Sequence, residues 1–206
     1  MADGGDDGRT DAAAAAPVSL RRLAPAEFDL VWTVDRSETA THAYRFVDGE
    51  LVVVPRPFTL TGWPAGMREH DAPGLAACAA RGGVGLGAFA GETLVGTAVV
   101  DTRPLGPTGA WRQLAWCYVS AAWRGQGVGG RLLEAARAAG RELGGEKLYI
   151  SAIPTVATVD FYRGQGAVLA EPPDPALLAA EPEDIHLVCP CVEPRLSPRR
   201  REEECP

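Results

Sequence analysis

A mixed α+β or α/β sheet with helices on its faces is the fold class this sequence predicts. Three observations predict it. Apolar runs of strand length dominate residues 84–119, a strongly amphipathic helical stretch follows a glycine-rich loop at 125–130, and further strands alternate with shorter helices to about residue 189. The order is β-hairpin, strand, loop, helix, strand, helix, strand, strand. That is neither a repeated βαβ array nor an all-β pattern, so a sheet covered by helices is the economical arrangement.

Taken in order, residues 18–22 read as a short strand and 25–32 (PAEFDLVW) as an early helix opened by proline. Residues 44–47 and 51–54 flank an Asp48-Gly49 turn and predict a hairpin; the Pro- and Gly-rich sequence after it, to residue 73, predicts no regular element. VGLGAFA (84–90) and LVGTAVVDT (94–102) are two strands joined by a Gly91-Glu92 turn, and RQLAWCYV (112–119) is a third. After the glycine loop, Val128, Leu132, Leu133, Ala136, Ala139 and Leu143 share one helical face, while Arg131, Glu134, Arg137 and Arg141 fall mainly elsewhere. Gly144-Gly145 ends that helix. A strand is expected at 147–152, a helix at about 155–164, and strands at about 167–169 and 185–189.

Residues 1–16 are low-complexity and 194–206 run from a basic block to an acidic one, so both are expected to be solvated tails around one domain at 17–193. The net charge of −7 argues against general nucleic-acid affinity, which needs a basic footprint. No run of 18 apolar residues suggests a membrane span, and Asp3, Asp6 and Asp7 stand where a secretory signal would carry positive charge. A cytoplasmic protein is the expectation. The five cysteines, Cys78, Cys117, Cys189, Cys191 and Cys205, are odd in number and contain no C-x-x-C pair, so neither a disulfide framework nor a metal site is expected.

Chemistry concentrates in WRGQGVGGRLLEAARAAG, from Trp123 to Gly140. A helix N-terminus offers unpaired N–H groups and partial positive charge, and glycines before it let an anion approach the backbone. Arg124 and Arg131 bracket Gly125, Gln126, Gly127, Val128, Gly129 and Gly130, so a phosphate site is expected. A Walker A loop is excluded because no lysine follows the glycines. Gly125 to Gly130 does satisfy G-x-G-x-x-G, but a dinucleotide site expects an acid ending the next strand, and KLYISA ends in Ser151-Ala152.

Residues 113–166 instead resemble the GCN5-related N-acetyltransferase (GNAT) family. Arg124-Gly125-Gln126-Gly127-Val128-Gly129 matches the family's Arg/Gln-x-x-Gly-x-Gly/Ala motif, and Phe161-Tyr162-Arg163-Gly164-Gln165-Gly166 is similar to its FY-x-x-x-G element. The resemblance covers about residues 85–190. It implies an acyl-CoA N-acyltransferase fold: a mixed, mostly antiparallel central sheet flanked by helices, with strands that splay apart at the cofactor site. It implies acetyl-CoA as cofactor, bound by its pyrophosphate at the N–H groups of residues 125–130.

The resemblance further implies that the splayed strand at Trp116, Cys117, Tyr118 and Val119 holds the pantetheine and thioester, with the N–H of Tyr118 or a neighbour facing the oxyanion. Tyr162 is implied as general acid, with Phe161 beside the cofactor. Thr155 and Thr158 stand where the family often has Asn and Ala; Thr155 can cap its helix and offer a hydroxyl. The strand carries no carboxylate, so Glu38, His42 or Asp101 is left as base, or the amine loses its proton through ordered water. Glu38, His42 and Trp116 are candidate acceptor contacts, and Trp32, Tyr44, Phe58 and Trp63 are further aromatics for that pocket.

The function expected is acetyl transfer from acetyl-CoA to the primary amine of a small molecule, by direct attack in a ternary complex. A protein or peptide acceptor, or a CoA-binding module without catalysis, are the alternatives. A homodimer is compatible with the resemblance.

Overall fold

The computed structural model describes residues 17–192; the tails expected at 1–16 and 194–206, with Cys205, lie outside the described residues. The main sheet has seven strands: β1 (Val18–Leu23), β4 (Val84–Ala90), β5 (Thr93–Leu105), β6 (Trp111–Val119), β7 (Lys147–Ala152), β8 (Val168–Leu169) and β9 (Ile185–Pro190), in the spatial order β1-β4-β5-β6-β7-β9-β8. Every neighbouring pair is antiparallel except β6–β7. Two more strands, β2 (Glu38–Val47) and β3 (Glu50–Leu60), form a separate two-stranded arm.

Both faces of the sheet are covered. That explains why β4 and β5 read as continuous apolar runs rather than as an alternation. On one face lie α2 (Val128–Glu142) and α3 (Val156–Gly164), whose Val128, Leu132, Leu133, Ala136, Val159 and Tyr162 pack against Ala98, Val100, Leu114 and Ile150. On the other face lie a 3-10 helix (Pro25–Thr33) and α1 (Met67–Ala80), contributing Phe28, Val31, Leu75 and Cys78 against Phe89, Leu94 and Val99.

Two local readings are corrected and one is refined. Residues 25–33, expected as a helix, wind as a 3-10 helix, in which the buried positions Phe28, Val31 and Val34 recur every three residues, the 3-10 period. Phe28 fits because Gly85 stands opposite: a Cβ there would come within 2.5 Å of the ring. Residues 67–80 form a helix despite Pro73 in its middle. Pro73 is exposed, and burial of Leu75, Cys78 and Ala79 on the sheet outweighs the lost backbone bond. Finally, Arg137 is buried rather than outside the apolar face of α2; its guanidinium bonds the Gln165 carbonyl and, at 2.9 Å, the Cys189 sulfur. A short α4 (Pro175–Ala180), capped by Asp174, was also not apparent from the sequence.

The hairpin around Asp48-Gly49 is longer than its sequence signal suggested, with both turn residues at positive φ. The arm is fastened to the body at several points. Ala43 bridges Thr155, the Tyr44 N–H donates to the Pro154 carbonyl at 2.7 Å, and the Tyr44 hydroxyl donates to Asp160 at 2.8 Å. Arg56 pairs with Glu183, just before β9, at 2.7 Å.

Candidate active site

The site follows from one pairing defect. β6 and β7 are in register only at Trp111–Lys147, Arg112–Leu148 and Gln113–Tyr149; beyond Gln113 they diverge. On its other edge β6 carries a bulge, since Val100 faces Leu114 while Val99 faces Trp116. Bulges turn a strand away from its neighbour. The result is a cleft of about 740 Å³ between Leu114, Cys117, Tyr118 and Val119 on one side and Ile150, Ser151 and Ile153 on the other.

Backbone polarity along the open edge can be assigned. The Ser120 N–H donates to the Val95 carbonyl of β5 at 2.8 Å. N–H directions alternate along a strand, so Tyr118 also faces β5, while the N–H groups of Cys117 and Val119 face the cleft. Side chains alternate too. Cys117 and Val119 pack towards α2 and α3, whereas Trp116 and Tyr118 join the opposite face.

At one end of the cleft is the glycine loop. Gly125 and Gly127 adopt φ of 72° and 80°, which favour glycine, and Gly127 caps α2 without a side chain. The first ladder bond runs from the Arg131 N–H to the Gly127 carbonyl at 3.2 Å, leaving the amides of Val128, Gly129 and Gly130 ahead of it. Gly125, Gly127, Gly129 and Gly130 line the cleft, and a Cβ on Gly130 would meet little but the Gln165 amide at 3.8 Å. These amides, continuous with the open edge of β6, fit a pyrophosphate joined to an extended pantetheine arm.

The arginines are occupied structurally. Arg124 donates to the carbonyls of Val119 (3.0 Å) and Ser37 (2.8 Å), tying β6, the loop and the root of the arm together. Arg131 reaches the Val18 carbonyl at 2.9 Å, and the Gln126 amide donates to the Ala122 carbonyl.

From α3, Ala157, Thr158, Phe161 and Tyr162 line the cleft. Thr155 does not: it is fully buried, and its hydroxyl caps α3 by accepting from the Thr158 N–H at 3.2 Å and bonds the Thr158 hydroxyl at 2.9 Å. Tyr162 lies beside the Cys117 thiol, and burial pushes its hydroxyl well above the usual tyrosine value. Burial likewise raises the Cys117 thiol to about 11, so it is uncharged at neutral pH.

The cleft is also lined by Arg36, Ser37, Glu38 and Thr39 at the root of the arm, where Ser37 is held by Arg124 of the loop. Here Trp32, Trp63, Trp116 and Tyr118 make a contiguous aromatic cluster with ring centroids 4.8–5.8 Å apart. Arg36, only 7% exposed, lies over Trp63 at 4.9 Å and Tyr118 at 5.0 Å. Tyr44 and Phe58 stay on the arm.

Of the candidate bases, only Glu38 lines the cleft. His42 is exposed on the arm beside a separate shallow recess and bonds Thr41. Asp101 is buried in the irregular part of β5; although burial opposes ionisation, hydrogen bonds from Arg81 (2.9 Å) and Arg103 (2.8 Å) hold it below the ordinary carboxylate value. It is a structural ion cluster. Arg36 escaped the sequence reading, as did the acidic turn before β9, because nothing local marks either.

Comparisons with known proteins agree with this geometry. The sequence profile of the acetyltransferase (GNAT) family matches residues 54–167. No curated protein matches the chain. Among solved structures, nourseothricin acetyltransferase is similar at 22% identity and a TM-score of 0.63, covering 85% of this chain and 99% of that one. A structure assigned as the streptothricin acetyltransferase of Bacillus anthracis str. Ames, in complex with acetyl coenzyme A, is similar at 15% identity and a TM-score of 0.62, covering 84% and 98%. The ribosomal-protein-S18-alanine N-acetyltransferase of Escherichia coli is similar at 13% identity and a TM-score of 0.54, covering 86% and 96%. No helix among the described residues is long and apolar enough to cross a membrane. With the splayed strand, the glycine cradle and a family match over more than half its length, this chain belongs to the GNAT acetyltransferase family, and acetyl-CoA is its cofactor.

Proposed function

We propose that the domain at 17–193 transfers the acetyl group of acetyl-CoA to the primary amine of a small molecule, by direct attack in a ternary complex. The observation that carries this reading is the cleft between β6 and β7, lined by the glycine loop, α3 and the root of the arm. One continuous space runs from the glycine loop to Arg36 and Glu38, and the β2–β3 arm is fastened beside it through Thr155, Asp160 and Glu183. Nourseothricin and streptothricin acetyltransferases, which share this fold, are named for small acceptors, and that likeness supports a small acceptor here.

In this reading the amides of residues 125–130 hold the pyrophosphate, and Cys117 and Val119 present the N–H groups that hold the pantetheine and face the developing oxyanion. Arg124 fixes the loop rather than meeting the anion. Tyr162, fully protonated, donates its hydroxyl to the departing sulfur. Acetyl-CoA supplies the activated acyl group; no protein nucleophile is required. Cys117 is the cleft cysteine among the described residues, and its uncharged thiol is a poor nucleophile, which supports direct transfer over a covalent relay.

The test is thiol release from acetyl-CoA with a panel containing streptothricin-class antibiotics, polyamines, amino acids and short peptides. Turnover of a small amine with intersecting initial-rate lines is the expected result. Turnover of peptides alone would overturn the acceptor class, and parallel lines would overturn the ternary complex.

A further inference from the structure

Buried charges in proteins are paired, because an unpaired one loses its water and gains nothing for it. Arg36 is 7% exposed and lines the cleft. Its guanidinium lies over the Trp63 and Tyr118 rings, at 4.9 and 5.0 Å. Rings cover the flat faces of a guanidinium and leave its five in-plane N–H donors in need of acceptors. Its hydrogen bond among the described residues goes to the Met67 sulfur at 3.0 Å, and a thioether is a weak acceptor. No carboxylate among the described residues pairs with it. The neighbouring Asp35 accepts the Ser37 N–H at 3.0 Å, and Asp184, which feels the Arg36 charge, makes no ion pair with it. The remaining donors are not sealed in either. Among the described residues, the enclosed side-chain nitrogens without a partner are those of Trp32 and Arg137, so the Arg36 donors open on the cleft.

Two residues on, Glu38 lines the same cleft, as the one acidic residue of its lining among the described residues. It also enters none of their ion pairs. Glu38 borders the shallow recess lined by Thr39, Thr41 and His42 as well, so it stands where cleft and recess meet. The other charged residue of the lining, Arg124, is spent on the carbonyls of Val119 and Ser37.

We propose that Arg36 and Glu38 hold the two charged groups of the acceptor, its carboxylate and its ammonium, so the small amine is an amino acid or a close relative of one. This rests on the acetyltransferase reading given above. A guanidinium held over aromatic rings presents its N–H fork in a fixed plane, which suits a carboxylate taken by two parallel bonds. Shielding from water strengthens those bonds, and an acceptor without an anion would leave the buried cation unpaired. Glu38, half-buried, takes the ammonium, and the recess beside it gives the rest of the acceptor room. A polyamine would bring a second cation towards Arg36 and is disfavoured by repulsion.

Calorimetric titration of the CoA-loaded protein tests the carboxylate contact without turnover. The probes are the standard amino acids in N-acetylated form, each beside its carboxamide, which keeps the shape and loses the charge. At least one N-acetyl amino acid should bind about 10- to 100-fold more tightly than its carboxamide. Equal binding across the set, or binding of neither form, overturns the proposal. In Arg36→Met the difference should disappear, and in Arg36→Lys it should return in part, with the acetyl-CoA thermal shift showing that each variant is folded. A difference kept in Arg36→Met overturns the role of Arg36. In turnover, amino acids should exceed their decarboxylated amines and polyamines in kcat/KM, and Glu38→Gln should raise KM about tenfold with a smaller change in kcat. An unchanged KM overturns the role of Glu38. Polyamines as the best acceptors would overturn the proposal and leave the acetyltransferase reading standing. Failure of every amine to react, alongside Arg36-dependent binding of N-acetyl amino acids, would count against the acetyltransferase reading and leave the carboxylate site standing.

Discussion

Two regions beside the cleft are built differently. At the glycine loop the polar groups are backbone amides of consecutive residues: Val128, Gly129 and Gly130 at the start of α2, continuing onto the open edge of β6. Around Tyr118 they are side chains distant in the chain, with the Arg36 guanidinium over the Trp63 and Tyr118 rings. A phosphate site built from backbone depends on glycine spacing and helix position, so one short segment specifies it. A pocket built from side chains depends on which segments the fold brings together. The first can be shared by proteins that differ in acceptor, while in the reading proposed above the second sets the acceptor.

Mutations should separate the two regions. The largest effect is expected at the loop. Gly127 sits at φ 80°, where a β-branched residue is strained, and its helix cap presents the amides. Gly127→Val should abolish the thermal stabilisation by acetyl-CoA, which for the native protein at 100 times Kd amounts to about 2.7 kcal/mol. Retained stabilisation would show that the loop is not the anchor.

Tyr162→Phe removes one hydrogen bond to a sulfur carrying developing charge, worth about 1.5–3 kcal/mol. It should lower kcat by about 10- to 100-fold with little change in acetyl-CoA affinity. A loss of acetyl-CoA affinity with kcat unchanged would place Tyr162 in binding alone.

In the turn before β9, burial raises the Asp184 carboxyl above the ordinary 3.8 to about 7. A carboxyl shifted upward in the fold favours folding fully below its unfolded value, and that contribution is lost as pH rises through the folded value. The loss therefore falls between about pH 4 and pH 7. Asp184→Asn removes it, so the variant should melt at least about 2–4 °C higher than the native protein at pH 8. The gain should vanish towards pH 4, as differential scanning calorimetry at the two pH values can show. A lower melting point at pH 8 would contradict the burial argument. The smallest effect is expected from Cys117→Ala, because its thiol is uncharged; a fall in kcat beyond about threefold would revive a covalent relay.

Much of the fold was legible in local patterns. Strands 84–90 and 147–152 and the helix beginning at Val128 have strong periodicity and clear glycine boundaries, and the structure places them as expected. The 3-10 geometry of residues 25–33 and the helix through Pro73 were not legible. Both are decided by what their buried side chains meet on the sheet: Phe28 against Gly85, and Leu75 and Cys78 within the same cluster. At the site, the glycine loop was legible from motif and spacing, while Tyr162 and the splayed strand were implied by the family resemblance. His42 and Asp101 looked suitable as bases by residue type alone, and packing set one outside the cleft and tied the other to two arginines.

The sequence alone determined the glycine loop proposed as the phosphate cradle, since a helix start, two positive-φ glycines and the strand before them are consecutive and need no distant partner. It also determined the strands and the long helix that hold that cradle. Only the tertiary structure decided which side chains gather around Tyr118. Arg36 and Trp63 stand 82 and 55 residues before Tyr118 in the chain, and the fold stacks the guanidinium over both rings while β6 turns away from β7. Long-range strand pairing sets such a pocket through packing and register, and no local periodicity encodes it.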